Sequence, residues 1–353
     1  MHRALLQPLV LPGPCIFSAE GIHFTIVASS KSADEKLYDV SCPTRAMVGN
    51  MNEHLKKFAK ALVPKRVKKV ALESLRHLFV PPVVVRDFLA YDGTFVVDVQ
   101  GHDLVILHTN RLIENDLFWR GLFAYEGAGM RAWLALAKRA RTIVDVGANT
   151  GLFSLTARCV NRRAAIHSFE PNPEFYSTLG QNNQSNEAGI LIHHTALSNE
   201  SGVLPMFMPH EFAGNIYTSS LSKDHYLRCQ QSPPRIFDAT VEVFDELAHR
   251  SAIEDVDLVK VDAEGFDLKV LMGMAGTLER DTPDVLVEIE SDEIGAGIET
   301  LLPATKYRYF KICEDGTFAS TDRLLKPAAP WNYLICKTSS AELLSGEINS
   351  FWR

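Results

Sequence analysis

The sequence predicts an α/β fold built on a mostly parallel sheet, and three observations carry that prediction. From Thr142 onward, short apolar and β-branched runs alternate with helical stretches, the pattern of a parallel sheet covered on both faces. A glycine-containing turn, Gly147 to Gly151, directly follows the first run, at the strand end where an open α/β sheet binds its ligand. An acidic residue, Glu170, then ends the second run.

Taken in chain order, residues 1–46 mix Pro, Gly, Ser and charge without periodicity and are expected to be a poorly ordered extension. The apolar start is interrupted by Pro8, Pro12 and Pro14 and does not read as a signal peptide. Residues 47–114 are expected to form a basic helical segment and a small β cap. Within it, Leu55, Phe58 and Leu62 recur at helical spacing, as do Val67, Val70, Leu75 and Leu78, while eight Lys and Arg between Lys56 and Arg76 populate the other face. Two helices with a solvated face explain residues 54–78; peripheral contact with an anionic membrane is the alternative. Val83–Val85, Phe95–Val97 and Leu104–Leu107 are β-like, with Asp92-Gly93 and Gly101-His102 as turns. Leu112–Ala137 reads as mostly helical.

The main domain is expected over residues 115–340, followed by a tail at 341–353. Strands are expected at Thr142–Val146, Ala164–Phe169, Ile190–Thr195, Asp257–Val261 and Asp284–Ile289, and helices at Leu152–Cys159, Pro173–Asn183 and Phe266–Leu278. Tyr307–Ile312 and Tyr333–Cys336 are late strands around a Gly/Asp/Pro-containing excursion.

Composition narrows the function classes. With 46% hydrophobic and 22% charged residues in 353, the chain is globular rather than disordered. A net charge of -7 gives no general attraction to a phosphate backbone, so nucleic acid is not expected as partner. The six cysteines are scattered without a CxxC pair, which offers no zinc site and fits a reducing, cytoplasmic setting. No apolar run approaches membrane-spanning length.

The chemistry centres on Asp145-Val146-Gly147-Ala148-Asn149-Thr150-Gly151. Gly147 allows a tight turn, and Gly151 is expected to allow close approach to a ligand. Asp145 can orient the loop or meet the ligand's amino-acid part through water. The spacing is G-x-x-x-G, not the G-x-G-x-x-G that cradles a pyrophosphate. Glu170, about twenty residues on, is where a carboxylate accepts both ribose hydroxyls. An adenosyl ligand without pyrophosphate, S-adenosylmethionine, fits both features better than NAD(P), and a nicotinamide-dependent oxidoreductase is disfavoured.

At this point the chain resembles the FkbM family of S-adenosylmethionine-dependent O-methyltransferases. The resemblance rests on Asp145–Ser154, Phe169–Pro173, Leu179–Asn183, Thr195–Ser198, Asp257–Gly265 and Pro283–Glu288, in that order. It implies a Rossmann-like class I methyltransferase fold, with a seven-stranded sheet and a reversed C-terminal hairpin supplied by the two late strands. It also implies that Gly147, Asn149 and Gly151 belong to the cofactor site, that Glu170 holds the ribose, that Ala196 lies by the adenine, and that Glu126, in Tyr125-Glu126, lies near the methionine amino group. Members act on hydroxyls of sugars, polyketides and related small molecules, so a small-molecule or glycan hydroxyl is the expected acceptor. A degenerate S-adenosylmethionine-binding module without catalysis is the alternative.

Methyl transfer to a hydroxyl needs alignment and a proton acceptor. Asp262 and Glu264, in Lys260-Val261-Asp262-Ala263-Glu264-Gly265, fall at the carboxyl end of the fourth core strand and are the candidate catalytic residues; Asp262 is also expected to border the cofactor. The bland alternative is that this loop only shapes the pocket, with Lys260 pairing a carboxylate. Asp262, Glu264 and Glu288 could instead ligate Mg²⁺, although no metal is the expectation. His193-His194 should point to opposite faces of a strand. The long interval from Pro205 to Pro234, with His210, Asn215, Tyr217 and Ser219-Ser220, is a candidate acceptor loop.

Overall fold

The computed structural model describes residues 93–348 apart from 110, 211–218, 230–232, 314 and 328–331, scattered residues between 69 and 86, and the backbone of 23–28 and 36–41. Residues 54–68 of the expected basic helical segment, the run Val83–Val85, Asn215 and Tyr217 lie outside the described residues. Among the described residues, no helix is long and apolar enough to cross a membrane. The chain divides into units at Met1–Pro64 and Lys65–Arg353. In the first unit, β1 (His23–Ala28) pairs antiparallel with β2 (Lys36–Ser41), inside the stretch whose sequence shows no periodicity.

The second unit is organised by an eight-stranded sheet. Its parallel strands are β5 (Thr142–Val146), β6 (Ala165–Phe169), β7 (Leu191–His193), β11 (Val256–Val261) and β12 (Asp284–Glu288). Next to β12 runs the reversed β15 (Asn332–Cys336), followed outward by β13 (Arg308–Ile312) and β14 (Phe318–Thr321). The order β14-β13-β15-β12-β11-β5-β6-β7 is the class I methyltransferase arrangement, with β15 antiparallel to both neighbours. One strand exceeds the expected seven: β14 forms in the excursion between the late strands, where Phe318 is fully buried and fixes the pairing with Ile312.

Side-chain alternation divides the core between the two faces of the sheet. Ile143, Leu258, Leu286 and Leu334 pack into one layer, and Val144, Val259, Val285 and Ile335 into the other. The first layer receives α1 (Leu112–Arg120), α2 (Gly127–Ala137), α3 (Leu152–Val160) and the hairpin β3 (Gly93–Val99) with β4 (His102–His108). That hairpin docks on α4 (Pro173–Ser185) through Asn182 and the C-cap residue Asn186: Asn182 Oδ1 accepts from Leu107 N at 2.8 Å, and Asn186 Oδ1 accepts from Val105 N at 2.8 Å. The second layer receives α6 (Phe244–Ser251), α7 (Asp267–Met272), α8 (Ala275–Asp281) and α9 (Asp292–Leu301). The helix α10 (Thr338–Glu347) closes the unit and adds Ala341 and Leu344 to the first layer.

Three expectations are corrected. The helix expected over Phe266–Leu278 is two, because at Gly273 the backbone abuts Ser198: a Cβ there would meet its carbonyl oxygen at 2.1 Å. Gly273 O accepts from Asp245 N instead of continuing the helical ladder, and the Asp245 carboxylate accepts from Gly276 N and Thr277 N to start α8. The stretch Leu112–Ala137 is mostly helical as expected, with α1 and α2 separated at Gly121, whose φ is 79°. The strand expected to reach Thr195 ends at His193; Ala196–Leu197, β8, joins a separate sheet with β10 (Arg235–Glu242) and β9 (Gly202–Met208). The interval from Pro205 to Pro234 is therefore not one loop, since it contains most of β9 and the helix α5 (Lys223–Cys229).

Candidate active site

After β5 the chain turns to one side of the sheet, toward β6, and β11 flanks β5 on the other, so the topological switch lies between β5 and β11. Their carboxyl ends carry Gly147 and Asp262. The two backbones touch: a Cβ on Gly147 would lie 1.8 Å from Asp262 O, and Gly147 sits at φ 74°. Only glycine fits both restraints. Gly151, at φ 92°, is different. Its close neighbour is Leu179 Cδ1 of α4, 2.3 Å from a would-be Cβ, so its smallness serves helix packing, not ligand approach, and it does not line the cavity.

A pocket with about 690 Å³ of empty space, open solvent included, lies over this edge, lined among others by Tyr125, Gly147, Asn149, Glu170, Ala196 and Asp262. Glu170 is held there by two backbone donors. Oε2 accepts from Asn149 N at 2.8 Å and Oε1 accepts from Asn172 N at 2.7 Å, so both carboxylate oxygens are fixed in direction. Burial pushes its carboxyl up to about 8, against those two donors. Asn149 donates from a left-handed backbone at φ 51°. Asn172 is the N-cap of α4 ahead of Pro173, accepts from Glu174 N at 2.9 Å, and donates to Ser219 Oγ at 2.9 Å.

Beside this pocket lies a buried cluster of charge. Lys260 is 4% exposed, and its Nζ donates to Asp262 Oδ2 at 2.7 Å. Asp145 stands opposite Lys260 in the β5–β11 register and shares its face of the sheet. Oδ2 of Asp145 accepts from Ser154 N at 3.1 Å and Ser154 Oγ at 2.6 Å, capping the first turn of α3; Oδ1 is buried without a hydrogen-bond partner. Glu126, the N-cap of α2 at φ 45°, has an equally unpartnered Oε2. Burial raises the Asp145 carboxyl and takes that of Glu126 to about 7, while Lys260 opposes both shifts; the surrounding carboxylates raise the Lys260 ammonium. Three carboxylates facing one lysine make a site that a further cation would complete.

Glu264, at φ 50°, also lines the cavity. Its Oε2 lies 3.0 Å from His225 Nε2, and His225 Nδ1 lies 3.0 Å from Glu290 Oε2. The two carboxylates overcome burial and raise the His225 imidazolium to about 9, so His225 carries charge at neutrality. Gly265 passes so close that its would-be Cβ meets the imidazole at 3.1–3.2 Å. Burial raises the Glu264 and Glu288 carboxyls, and neighbouring carboxylates add to both shifts. Asp262 and Glu264 are each engaged by a cation, and no group of three metal-ligating side chains is placed to hold an ion among the described residues.

Other anticipated residues lie elsewhere. His193 stacks on Phe169 with centroids 4.4 Å apart, and His194 on Tyr176 at 4.4 Å; neither lines the cavity. Burial lowers the His193 imidazole and takes its neighbour His167 down to about 4. His210 is exposed at the end of β9. Ser219 lines the cavity, and Ser220 Oγ donates to Glu264 O at 2.7 Å. The residues that sequence reasoning missed are Asn172, Ser154 and His225. Asn-Pro before a helix signals the first; nothing local signals His225, which meets Glu264 and Glu290 only through the fold.

Comparison with known proteins gives a consistent result. The family model described as "Methyltransferase FkbM domain" matches residues 145–309. Methyltransferase sdnD of Sordaria araneosa is 32% identical over 187 residues, covering 45% of this chain and 71% of that protein. Hexuronic acid methyltransferase AglP of Haloferax volcanii is 28% identical over 180 residues, covering 50% and 67%. The 31-O-demethyl-FK506 methyltransferase FkbM of Streptomyces tacrolimicus is 26% identical over 204 residues, covering 51% and 77%.

Proposed function

The chain belongs to the FkbM methyltransferase family, and we propose that it takes its methyl group from S-adenosylmethionine and delivers it to a hydroxyl of a glycan or natural product. The observation that carries this reading is the doubly anchored Glu170, set beside the Gly147 turn at the switch point. A carboxylate so fixed presents lone pairs to the two hydroxyls of a ribose. The charge cluster supports the same ligand. The unpartnered oxygens of Glu126 and Asp145, with one lysine among three carboxylates, suit the ammonium of the methionine part. Ala196 would border the adenine.

When bound, S-adenosylmethionine supplies an electrophilic methyl group on a sulfonium. Lys260 occupies Asp262 Oδ2, which leaves Oδ1 to take the acceptor's hydroxyl proton. His225 ties Glu264 Oε2, leaving Oε1 to orient the acceptor. The relative named for 31-O-demethyl-FK506 supports an oxygen as the target atom, and the one named for a hexuronic acid supports a glycan acceptor.

The test is transfer of label from methyl-tritiated S-adenosylmethionine to a panel of oligosaccharides and polyketides. Ether-linked label in any of them supports the reading; calorimetry that finds no binding of S-adenosylmethionine or S-adenosylhomocysteine refutes it.

A further inference from the structure

A second cavity, with about 980 Å³ of empty space, opens at the same edge of the sheet and belongs to none of the groups placed above except Glu126. Arg120, Phe123, Arg131, Ile312 and Asn332 help to line it. Ile312 ends β13, Asn332 begins the reversed β15, and Asn332 stands in register with Glu288 at the end of β12. This cavity therefore covers the β15–β13 end of the carboxyl edge, as the first covers the β6–β5–β11 part. The two adjoin at consecutive residues, Tyr125 lining one and Glu126 the other.

The chemistry of the groove is specific. Arg131 is half-buried and makes no ion pair among the described residues; its guanidinium carbon lies 5.2 Å from the centre of the Phe123 ring. Gly316 lies close beside it, since a Cβ there would be 3.1 Å from Arg131 Nη2. Arg120 has only a long contact of 3.7 Å with Asp116, whose Oδ1 is already held at 2.6 Å by Arg86. Among the described residues, the acidic groups bordering the groove are Glu126, which faces Lys260, and Asp315, whose Oδ1 accepts from Thr317 N and Thr317 Oγ1. Phe123 is 44% exposed, an aromatic surface of the kind that receives the apolar face of a ring. A guanidinium without a counter-ion among the described residues, a second one only loosely engaged and an exposed aromatic ring make a recognition site for an oxyanion carried on a cyclic scaffold.

We propose that this groove is the acceptor site and that the acceptor carries an oxyanion, a carboxylate or a phosphate, gripped by Arg131 with Arg120. The inference rests on the methyl-transfer reading and narrows it to acidic acceptors.

The full chain saturated with S-adenosylhomocysteine is titrated calorimetrically with 4-nitrophenyl β-D-glucuronide, glucose 6-phosphate and the neutral 4-nitrophenyl β-D-glucoside. One or both anionic probes should bind about tenfold or more tightly than the glucoside, the scale of one charge-assisted bidentate contact. Which of them binds better tells carboxylate from phosphate. Arg131→Gln should erase that preference while the affinity for S-adenosylhomocysteine stays within about twofold. Equal binding of the three probes, binding by none, or a preference that survives Arg131→Gln overturns the proposal. Failure of S-adenosylhomocysteine itself to bind would instead overturn the donor assignment.

Discussion

Glu170→Gln separates the proposed ribose contact from the stability of the loop that makes it. Each carboxylate oxygen accepts one backbone N–H, from Asn149 at 2.8 Å and from Asn172 at 2.7 Å. A glutamine offers one acceptor and one NH₂, so in either orientation one buried N–H faces a donor. Leaving that group unsatisfied costs about 1–3 kcal/mol of stability, a fall of a few degrees in Tm for a domain of this size. Binding loses more selectively. One of two hydroxyl contacts to a charged acceptor disappears, about 1.5–3 kcal/mol, which weakens the Kd for S-adenosylhomocysteine by about 10- to 150-fold. Isothermal titration calorimetry reads the affinity and differential scanning calorimetry the stability. The pH dependence adds a second signature. With its carboxyl raised to about 8, folded Glu170 keeps a proton that the unfolded chain has released, so stability falls as pH rises from the ordinary carboxylate range to about 8. Ligand affinity runs the other way, because ribose hydroxyls need the ionised acceptor, and it should improve up to about pH 8 in the parent chain. In Glu170→Gln only the Glu126 part of that dependence remains, levelling off near 7. An affinity within about threefold of the parent, or an unchanged pH profile, would refute the ribose assignment.

Gly147→Ala should be close to intolerable, because its Cβ would lie 1.8 Å from Asp262 O and its φ is 74°. Left-handed strain alone costs about 1–2 kcal/mol, and moving β11 off β5 adds more, so a Tm fall of about 10 °C or a failure to fold is expected; a Tm within about 2 °C of the parent would show that the strand ends are not in contact. Asp262→Asn should lower methyl transfer by about 10²–10⁴-fold, the span of a lost proton acceptor, while cofactor affinity is largely retained. Near-normal turnover with the same acceptor would remove Asp262 from the chemistry and leave Glu264 as the remaining candidate.

Much of the site was legible because its residues lie close together in sequence. Asp145, Gly147, Asn149 and Glu170 sit on successive strand ends, and period-2 and period-3.6 patterning places such ends from the chain alone. Their partners were less legible. Gly151 looks like a second ligand glycine until Leu179 is seen against it, 2.3 Å from the would-be Cβ. Lys260 is an ordinary cation in the sequence; only burial at 4% exposure, with Asp262 at 2.7 Å and Asp145 opposite in register, makes it the charge that organises three carboxylates. The expected helix from Phe266 to Leu278 failed for a similar reason, since the contact of Gly273 with Ser198 overrides a continuous helical pattern.

The sequence by itself determined the α/β class, the parallel core strands, the switch-point glycine turn and the acid that follows it. All of these are written in local periodicity and in residue types that satisfy a backbone requirement. The tertiary structure alone decided which groups share a proton or a charge. His225 is bridged by Glu264 and Glu290, residues 39 and 65 positions away. The second groove is assembled from α1, the turn after it, α2, β13 and β15. Side-chain electrostatics falls off over a few ångströms of space rather than of chain, so such pairings exist only once the sheet has brought distant segments to one edge.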